Sequence, residues 1–352
     1  FWLRPGIAYV FVESFNETTS RDLEDNLKRL GENNIKGLVL DLRNNPGGLL
    51  NEGVAVADKF LQKGQTIVSH RGRSSPDKPY VAKNGNRGRD YPMVVLVNRY
   101  SASAAEIVAG ALQDHDRAII LGETTFGKGL VQTVYPLSEN TGLALTTAKY
   151  YTPSGRLIQR DYSGVSLYDY YYNSRSNSDG TPPVPSREVK MTDSGRTVYG
   201  GGGINPDVVI PPIKSNKFQD TLLQKYAFFN FSKHYVINHK VTQSFQVDDA
   251  VMQEFRKFLD SQQIPFTEAD LVENNDWVRS NIKAELFVNE FGQQEGLIVH
   301  TENDPAVAKA LELLPKAKEL ADNAKKTIAQ RSSARLSATQ EVAPAAANNN
   351  NR

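Results

Sequence analysis

The chain has 352 residues, with 41 Lys plus Arg against 40 Asp plus Glu, and no cysteine. Such a length allows about two or three domains and a core that needs no staples. The charge balance points to no nucleic-acid partner, and the missing thiol excludes a cysteine nucleophile, a disulfide framework and a cysteine metal site. No apolar run approaches the roughly 18 residues of a membrane span, and no signal peptide is visible. The chain opens on Phe1 rather than Met, so the expectation is a fragment or processed form with a targeting segment, or a further domain, upstream.

Ile7 to Val12 reads as a strand, and Thr19 to Leu30 as an amphipathic helix with Leu23, Leu27 and Leu30 on one face. Ile35 to Leu42 is a second, apolar strand, which makes strand, helix, strand a right-handed crossover unit. It ends in Arg43-Asn44-Asn45-Pro46-Gly47-Gly48. Two glycines there supply left-handed turn geometry; read for function, they leave a backbone bare enough for an amide to approach a reacting carbonyl. Asn51 to Leu61 reads as a helix, and the polar, basic stretch 69–90 as an exposed excursion between core elements.

Met93 to Val97 has the length and composition of a strand buried on both faces. Ser103 follows where that strand gives way to a helix. A serine there is either an N-cap or a nucleophile, because the first amides of a helix have no intrahelical partners and carry partial positive charge. After a short strand, Ala118 to Leu121, comes Lys128, 25 residues beyond Ser103, in Thr125-Phe126-Gly127-Lys128-Gly129. Neighbouring parallel strands bring their ends to one rim, so Ser103 and Lys128 are expected to meet there, although a lysine between glycines is also what a solvated turn contains. Gly122, Gly127 and Lys128 satisfy most of the phosphate-cradling signature Gly-x-x-x-x-Gly-Lys-[Ser/Thr]. Gly129 stands where the magnesium-binding hydroxyl belongs, and the strand-like Leu130 to Val134 follows where a helix is required, so nucleotide binding is set aside.

Two strand-like segments, Val134 to Leu137 and Gly142 to Tyr151, flank a Ser-Glu-Asn turn. Thr152-Pro153-Ser154-Gly155-Arg156 is a turn, and the Tyr-, Ser-, Asn- and Pro-rich residues 161–200 form a second excursion of functional or disordered character. Asp207 to Ile210 returns to a strand, closed by Pro211-Pro212. Helices follow. Val247, Val251, Phe255, Phe258 and Leu259 share one face; Thr267 with Asp270 caps the next; Val278, Ile282 and Leu286 carry a helix ending near Gly292; Asp304-Pro305 opens another. The expected organisation is an α/β core over 1–212, a helical domain over 213–330, and a disordered Ala-, Asn- and Ser-rich tail over 331–352.

A histidine base is the competing chemistry. His115 lies 12 residues after Ser103, but Asp114-His115-Asp116 reads as a surface turn ending a helix, and His70, His234, His239 and His300 are scattered without metal spacing. No metal or cofactor is expected.

Four blocks together resemble the carboxyl-terminal processing peptidases, or tail-specific proteases. They are Asp41-Leu42-Arg43-Asn44-Asn45-Pro46-Gly47-Gly48, Ser101-Ala102-Ser103-Ala104-Ala105-Glu106, Thr125-Phe126-Gly127-Lys128-Gly129 with Gln132, and Tyr151-Thr152-Pro153-Ser154-Gly155. Gly203-Ile204-Asn205-Pro206-Asp207 is a weaker match, and the likeness runs from about Gly6 to Pro212. The resemblance implies a ClpP/crotonase-like spiral core of ββα units followed by a helical C-terminal region. It implies a serine endopeptidase that cuts polypeptides near accessible C-termini through an acyl-enzyme. Ser103 would be the nucleophile, Lys128 the general base and Gln132 the residue orienting the lysine; the backbone amides of Gly48 and Ala104 would form the oxyanion hole. It also implies an extracytoplasmic, periplasmic setting, which the missing cysteines fit, an upstream PDZ domain or an adaptor as partner, and a homo-oligomer through the C-terminal helices.

A lysine acts as a base only when neutral, and lowering its pKa from about 10.4 to the 7–8 range costs about 4 kcal/mol, which burial supplies. A dry turn packed by Phe126 and Leu130 under the Ser103 helix is expected to do this, with Gln132 accepting from the neutral amine. Glu106 reads as structural. The rival readings are a non-catalytic or autoinhibited homologue serving as a binding scaffold, and a crotonase-like acyl-CoA enzyme.

Overall fold

A computed structural model describes residues 1–73, 75–164, 166, 168 and 188–341. The chain divides into two compact units, Phe1–Pro211 together with the chain from Lys309 on, and Pro212–Ala308. The helical unit therefore ends earlier than the expected 330. Architecture is mixed α/β followed by helices, as expected.

In the first unit, β1 (Trp2–Arg4), β2 (Ile7–Phe11), β3 (Gly37–Asp41), β6 (Met93–Val97), β7 (Ile119–Gly122) and β12 (Val208–Val209) make one sheet in the order β1-β2-β3-β6-β7-β12. From β2 onward every pairing is parallel, and β1 pairs antiparallel at the edge. β3 and β6 are buried at every position, which is why their sequences are unbroken apolar runs instead of alternating ones. Helices α1 (Thr19–Arg29), α2 (Leu50–Asp58) and α3 (Ala104–Asp114) are the crossovers between parallel strands. Every residue of α3 is buried, matching a sequence that is apolar nearly all round.

A second sheet, β5-β4-β9-β8, contains β4 (Thr66–Gly72), β5 (Ser75–Val81), β8 (Leu130–Pro136) and β9 (Gly142–Tyr151), all antiparallel. The first part of the excursion expected over 69–90 is paired into this sheet, and most of the stretch is exposed. Backbone pairing does not require apolar side chains, so a polar stretch builds β4 and β5, and Arg89 is buried because it is ion-paired to Glu24 and Glu32. Of the excursion expected over 161–200, residues 165, 167 and 169–187, including most of the Tyr-rich run, lie outside the described residues. Its last part is a hairpin, β10 (Val189–Met191) with β11 (Thr197–Tyr199).

That hairpin is clamped to the C-terminal end of α3, where the sequence reading of a surface turn fails. Asp114 and Asp116 are only 1% and 0% exposed. Asp114 accepts from the Arg156 guanidinium (2.6 Å) and the Ser154 amide (2.9 Å). Asp116 accepts from Arg196 (2.6 Å) and the Ser194 amide (2.6 Å). The His115 ring nitrogens lie 2.7 Å from Asp193 Oδ2 and 2.7 Å from the Thr66 carbonyl. These charges are buried because partners far along the chain satisfy them.

In the second unit, α4 (Lys217–Gln224), α5 (Ala227–Tyr235), α6 (Asp249–Ser261), α7 (Glu268–Glu273), α8 (Asn275–Phe291) and α9 (Gln293–Glu302) surround an aromatic core centred on Phe228, Phe231 and Phe255. Val251, Phe255, Phe258 and Leu259 share the buried face expected of them. Thr267 and Asp270 form the expected reciprocal cap of α7. α10 (Pro305–Glu341) opens at the expected Asp304-Pro305, with Asp304 accepting from the Ala306 amide at 2.7 Å. The helix runs on to Glu341, so residues 331–341 are helical where disorder was expected. From Lys316 to Ala343 no Gly or Pro interrupts a run of good helix formers.

Two predictions follow from the end of α3. Asp114→Ala strands the buried Arg156 guanidinium and is expected to destabilise the first unit by about 3–5 kcal/mol in urea unfolding, whereas Val209→Ala, at a strand residue 71% exposed, stays within about 0.5 kcal/mol. Burial lowers the His115 pKa, but hydrogen bonds to Asp193 and Thr66 and the charges of Asp193 and Asp114 outweigh it, so the pKa is raised. Its contribution is then present in full below the ordinary histidine value of about 6.5 and lost as pH rises through the raised one. The stability difference between parent and His115→Gln should shrink as pH rises above about 6.5 through the raised value; a difference that stays constant would show that the ring does not titrate there.

Candidate active site

The ends of β3, β6 and β7 lie along one rim, and three loops meet there. β6 runs out at Val97, and Asn98 to Ala102 turn the chain into α3. The turn is held by Ser101, whose hydroxyl donates to the Leu42 carbonyl (2.7 Å) and accepts from the Asn98 amide (2.9 Å). Ser103, at the N-cap of α3, has φ 54° and ψ −113°. A non-glycine residue there costs about 1–3 kcal/mol and persists only where its surroundings enforce it.

The enforcing group is Glu106, three residues on and wholly buried. Its Oε2 accepts from the Ser103 amide (2.9 Å) and from the Lys128 amide (2.7 Å). Its Oε1 accepts from the Gly127 amide (2.7 Å) and the Thr125 hydroxyl (2.6 Å). Because one oxygen takes both amides, the backbone nitrogens of Ser103 and Lys128 can be no farther apart than the sum of those bonds, 5.6 Å. The Phe126 amide also donates to the Ser101 carbonyl (2.9 Å). The meeting of Ser103 and Lys128 expected from the strand ends thus occurs in the main chain. Burial pushes the Glu106 carboxyl above its ordinary range, while the Thr125 hydroxyl and three N–H groups pull it back. The first turn of α3 adds its own partial positive charge.

The third loop is the Gly47–Gly48 turn. Gly47 has φ 94°, and a Cβ on it would come within 2.6 Å of the Ser103 Cβ and 2.9 Å of the Ala104 nitrogen. Gly48 has φ 144°, and a Cβ there would fall 2.1 Å from the Phe15 carbonyl oxygen. Side chains are therefore excluded by backbone on both counts. Asn45, fully buried, fixes the turn: its side chain accepts from the Gly47 amide (2.8 Å) and donates to the Val12 carbonyl (2.7 Å), and its carbonyl accepts from the Ala102 amide (2.9 Å). The amides of Gly48 and Ala104 have no acceptor among the described residues. Below the turn, Asp41 accepts from the Tyr9 hydroxyl and from Arg43, each at 2.6 Å.

The side chains of Lys128 and Gln132 depart from expectation. Both are exposed, and among the described residues neither has a hydrogen-bond partner. Phe126 is buried against Ala102, but its ring faces the Arg160 guanidinium at 4.3 Å, so it does not roof a dry pocket for the lysine. Gln132 lies on the part of β8 that projects with β9 into solvent. Sequence reasoning also passed over Glu106 as structural. Its position three residues after a helix-opening serine is the capping-box spacing, a signal that locates the carboxylate but not its bonds to Gly127 and Lys128.

Residues 6–166 match the model of peptidase family S41, and residues 218–270 match a C-terminal helical domain of probable PDZ-proteases. The chain is 52% identical over 158 residues to a carboxy-terminal-processing protease of Bartonella bacilliformis, covering 44% of this chain and 36% of that one. It is 45% identical over 159 residues to a carboxyl-terminal-processing protease of Synechocystis sp., covering 45% and 37%. It thus spans little more than a third of the relatives it matches. Among solved structures, a photosystem II D1 C-terminal processing protease is 34% identical, over 60% of this chain and 45% of that one, with a TM-score of 0.44. The family match is thus to residues 6–166, a little under half of the chain, and it spans the strand-end serine, the glycine turn and the lysine loop.

Glu106→Gln replaces one accepting oxygen with a donating amine that faces N–H groups. It should destabilise the first unit by about 3 kcal/mol in urea unfolding and speed hydrogen exchange at the Gly127 and Lys128 amides. Parental exchange at those two positions would mean that the carboxylate does not hold the loop.

Proposed function

We propose that the chain is a serine endopeptidase that cuts polypeptides near their C-termini, with Ser103 as nucleophile and Lys128 as general base. The observation that carries this reading is the single Glu106 oxygen bonded to the amides of both residues. That oxygen ties the main chain of both residues together at one rim, which supports their acting as a nucleophile and base pair. The Ser103 oxygen attacks the scissile carbonyl carbon as the Lys128 amine takes its proton. The oxyanion that forms accepts from the Gly48 and Ala104 amides. Collapse expels the amine of the downstream fragment, which takes the proton from Lys128, and leaves an ester on Ser103. Water, deprotonated by Lys128, then releases the acyl fragment. Gln132 orients the lysine.

Because Lys128 is exposed and a charged lysine is no base, the reading requires its side chain to leave water. A polypeptide lying across the rim supplies the dry surface, and the projecting β8–β9 ribbon, with Val134, Tyr135, Leu143 and Leu145 exposed, offers it apolar contact. Similarity to carboxy-terminal-processing proteases supports the choice of substrate class.

The exposed Lys128 and Gln132 side chains favour one second reading, an autoinhibited form that binds polypeptides without cutting them. Casein hydrolysis by the parent, Ser103→Ala and Lys128→Ala decides between them. The expected outcome is cleavage by the parent alone, rising with pH through one ionisation, with both variants down about 10³-fold or more. Binding of casein by the parent without cleavage supports the second reading, and cleavage that survives in Ser103→Ala overturns the assignment.

A further inference from the structure

Lys128 has a fixed backbone and an exposed side chain, and Glu106 accounts for only half of the fixing. The other half comes from residues 157–160. The Gln159 side-chain oxygen accepts from the Gly129 amide at 2.9 Å, and the Gln159 side-chain nitrogen donates to the Arg160 carbonyl at 2.8 Å. Gln159 is 2% exposed. Beside it, the Arg160 amide donates to the Gly127 carbonyl (3.0 Å), and the Tyr150 amide to the Gly129 carbonyl (2.7 Å). Neither glycine has room for a side chain: a Cβ on Gly129 would lie 2.6 Å from the Gln159 nitrogen, and one on Gly127 would lie 3.0 Å from the Arg160 Cβ.

We propose that Gln159 is a positioning residue for Lys128, acting through the Gly129 amide, a role distinct from that of Gln132 and resting on the protease reading above. Two successive amides, of Lys128 and of Gly129, are taken by buried side-chain oxygens from opposite sides of the loop, Glu106 and Gln159. Together they set the direction in which the Lys128 side chain leaves the backbone. The segment bearing Gln159 is itself tied to the helix that carries Ser103. Arg156 Nη2 donates to Asp114 (2.6 Å) and to the Gln113 side chain (2.8 Å) at the far end of α3. Helix α3 therefore references the nucleophile at one end and, through Arg156 and Gln159, the base at the other.

The choice of amide over carboxylate has a chemical reason. An acceptor is needed for the Gly129 N–H, but a second buried carboxylate beneath the loop would favour the charged lysine and raise the pH at which the base works. An amide accepts without that penalty, and its own N–H₂ is satisfied by the Arg160 carbonyl.

The test uses the full chain and a fluorogenic peptide taken from a casein cleavage site. Parental activity that is lost in Ser103→Ala first establishes the protease reading independently. Gln159→Leu, which removes the acceptor at similar volume, is then expected to lower kcat about 10–100-fold, with KM within about twofold. The midpoint of its pH–rate profile should move upward, because a loosened lysine is better solvated. Gln159→Asn, one methylene too short to reach the Gly129 amide, should show the same loss and carries the test if the leucine variant does not fold. Gln159→Glu keeps the accepting oxygen and should retain the parental kcat within about fivefold at the alkaline plateau. Parental kcat in a folded Leu or Asn variant overturns the proposal. So does a fall in kcat with an unmoved pH midpoint, since that marks a structural role alone.

Discussion

The site depends on one buried carboxylate. Glu106 has no contact with water, and an ionised group in that position is tolerated only if donors replace its hydration. Four do, three backbone amides and the Thr125 hydroxyl, and all four come from the Ser103 turn or from the Thr125–Lys128 loop. The desolvation cost of the charge is thus offset, in part, only when those two segments are closed upon each other. Opening the loop would leave a bare carboxylate in an apolar helix. That makes the closed backbone arrangement cooperative and explains how Ser103 is kept at a backbone conformation it would not choose alone.

The same logic repeats at the other end of α3. Asp114, His115, Asp116 and Arg117 are charged residues closing a helix that is otherwise apolar, and each is bonded to a segment far along the chain: Arg156, Asp193 with Thr66, Arg196, and the carbonyls of Phe60 and Arg89. α3 is therefore a buried rod with a polar fastening at each end. Its N-terminal fastening sets the main chain of Ser103 and Lys128. The C-terminal one holds the hairpin β10–β11 and the segment running from Arg156 to Arg160, which returns along the chain to grip the Lys128 loop.

What could be read without coordinates follows from where each stabilising partner lies. β3 and β6 were legible because strands buried on both faces need unbroken apolar runs, and the approach of Ser103 to Lys128 was legible because parallel strands end on one rim. The cap of α7 was legible because Thr267 and Asp270 are three residues apart. Glu106 was read as structural but without its bonds to the Thr125–Lys128 loop, and Asp114 was misread as part of a surface turn, because those partners lie 19 to 42 residues away, and nothing local distinguishes a satisfied buried carboxylate from a solvated one. The pairing of β4 with β5 was not legible because main-chain pairing leaves no hydrophobic signature in a polar stretch. The exposure of Lys128 was not legible because the bonds that set its backbone run to Glu106 and Gln159, 21 to 30 residues away along the chain.

That exposure is consistent with the rigidity around it. A lysine buried permanently beside Ser103 would carry its desolvation cost in the free protein, at the expense of stability. Here the main chain on both sides of Lys128 is bonded to buried oxygens, Glu106 before it and Gln159 after it, so little remains to be ordered except the side chain itself. The conformational cost of bringing it inward is then that of one flexible side chain, about 2 kcal/mol. The larger cost, removing the ammonium from water, falls at the moment an apolar polypeptide covers the rim. On the reading proposed above, the two requirements of a lysine base are separated: the fold provides position, and a bound polypeptide provides dryness.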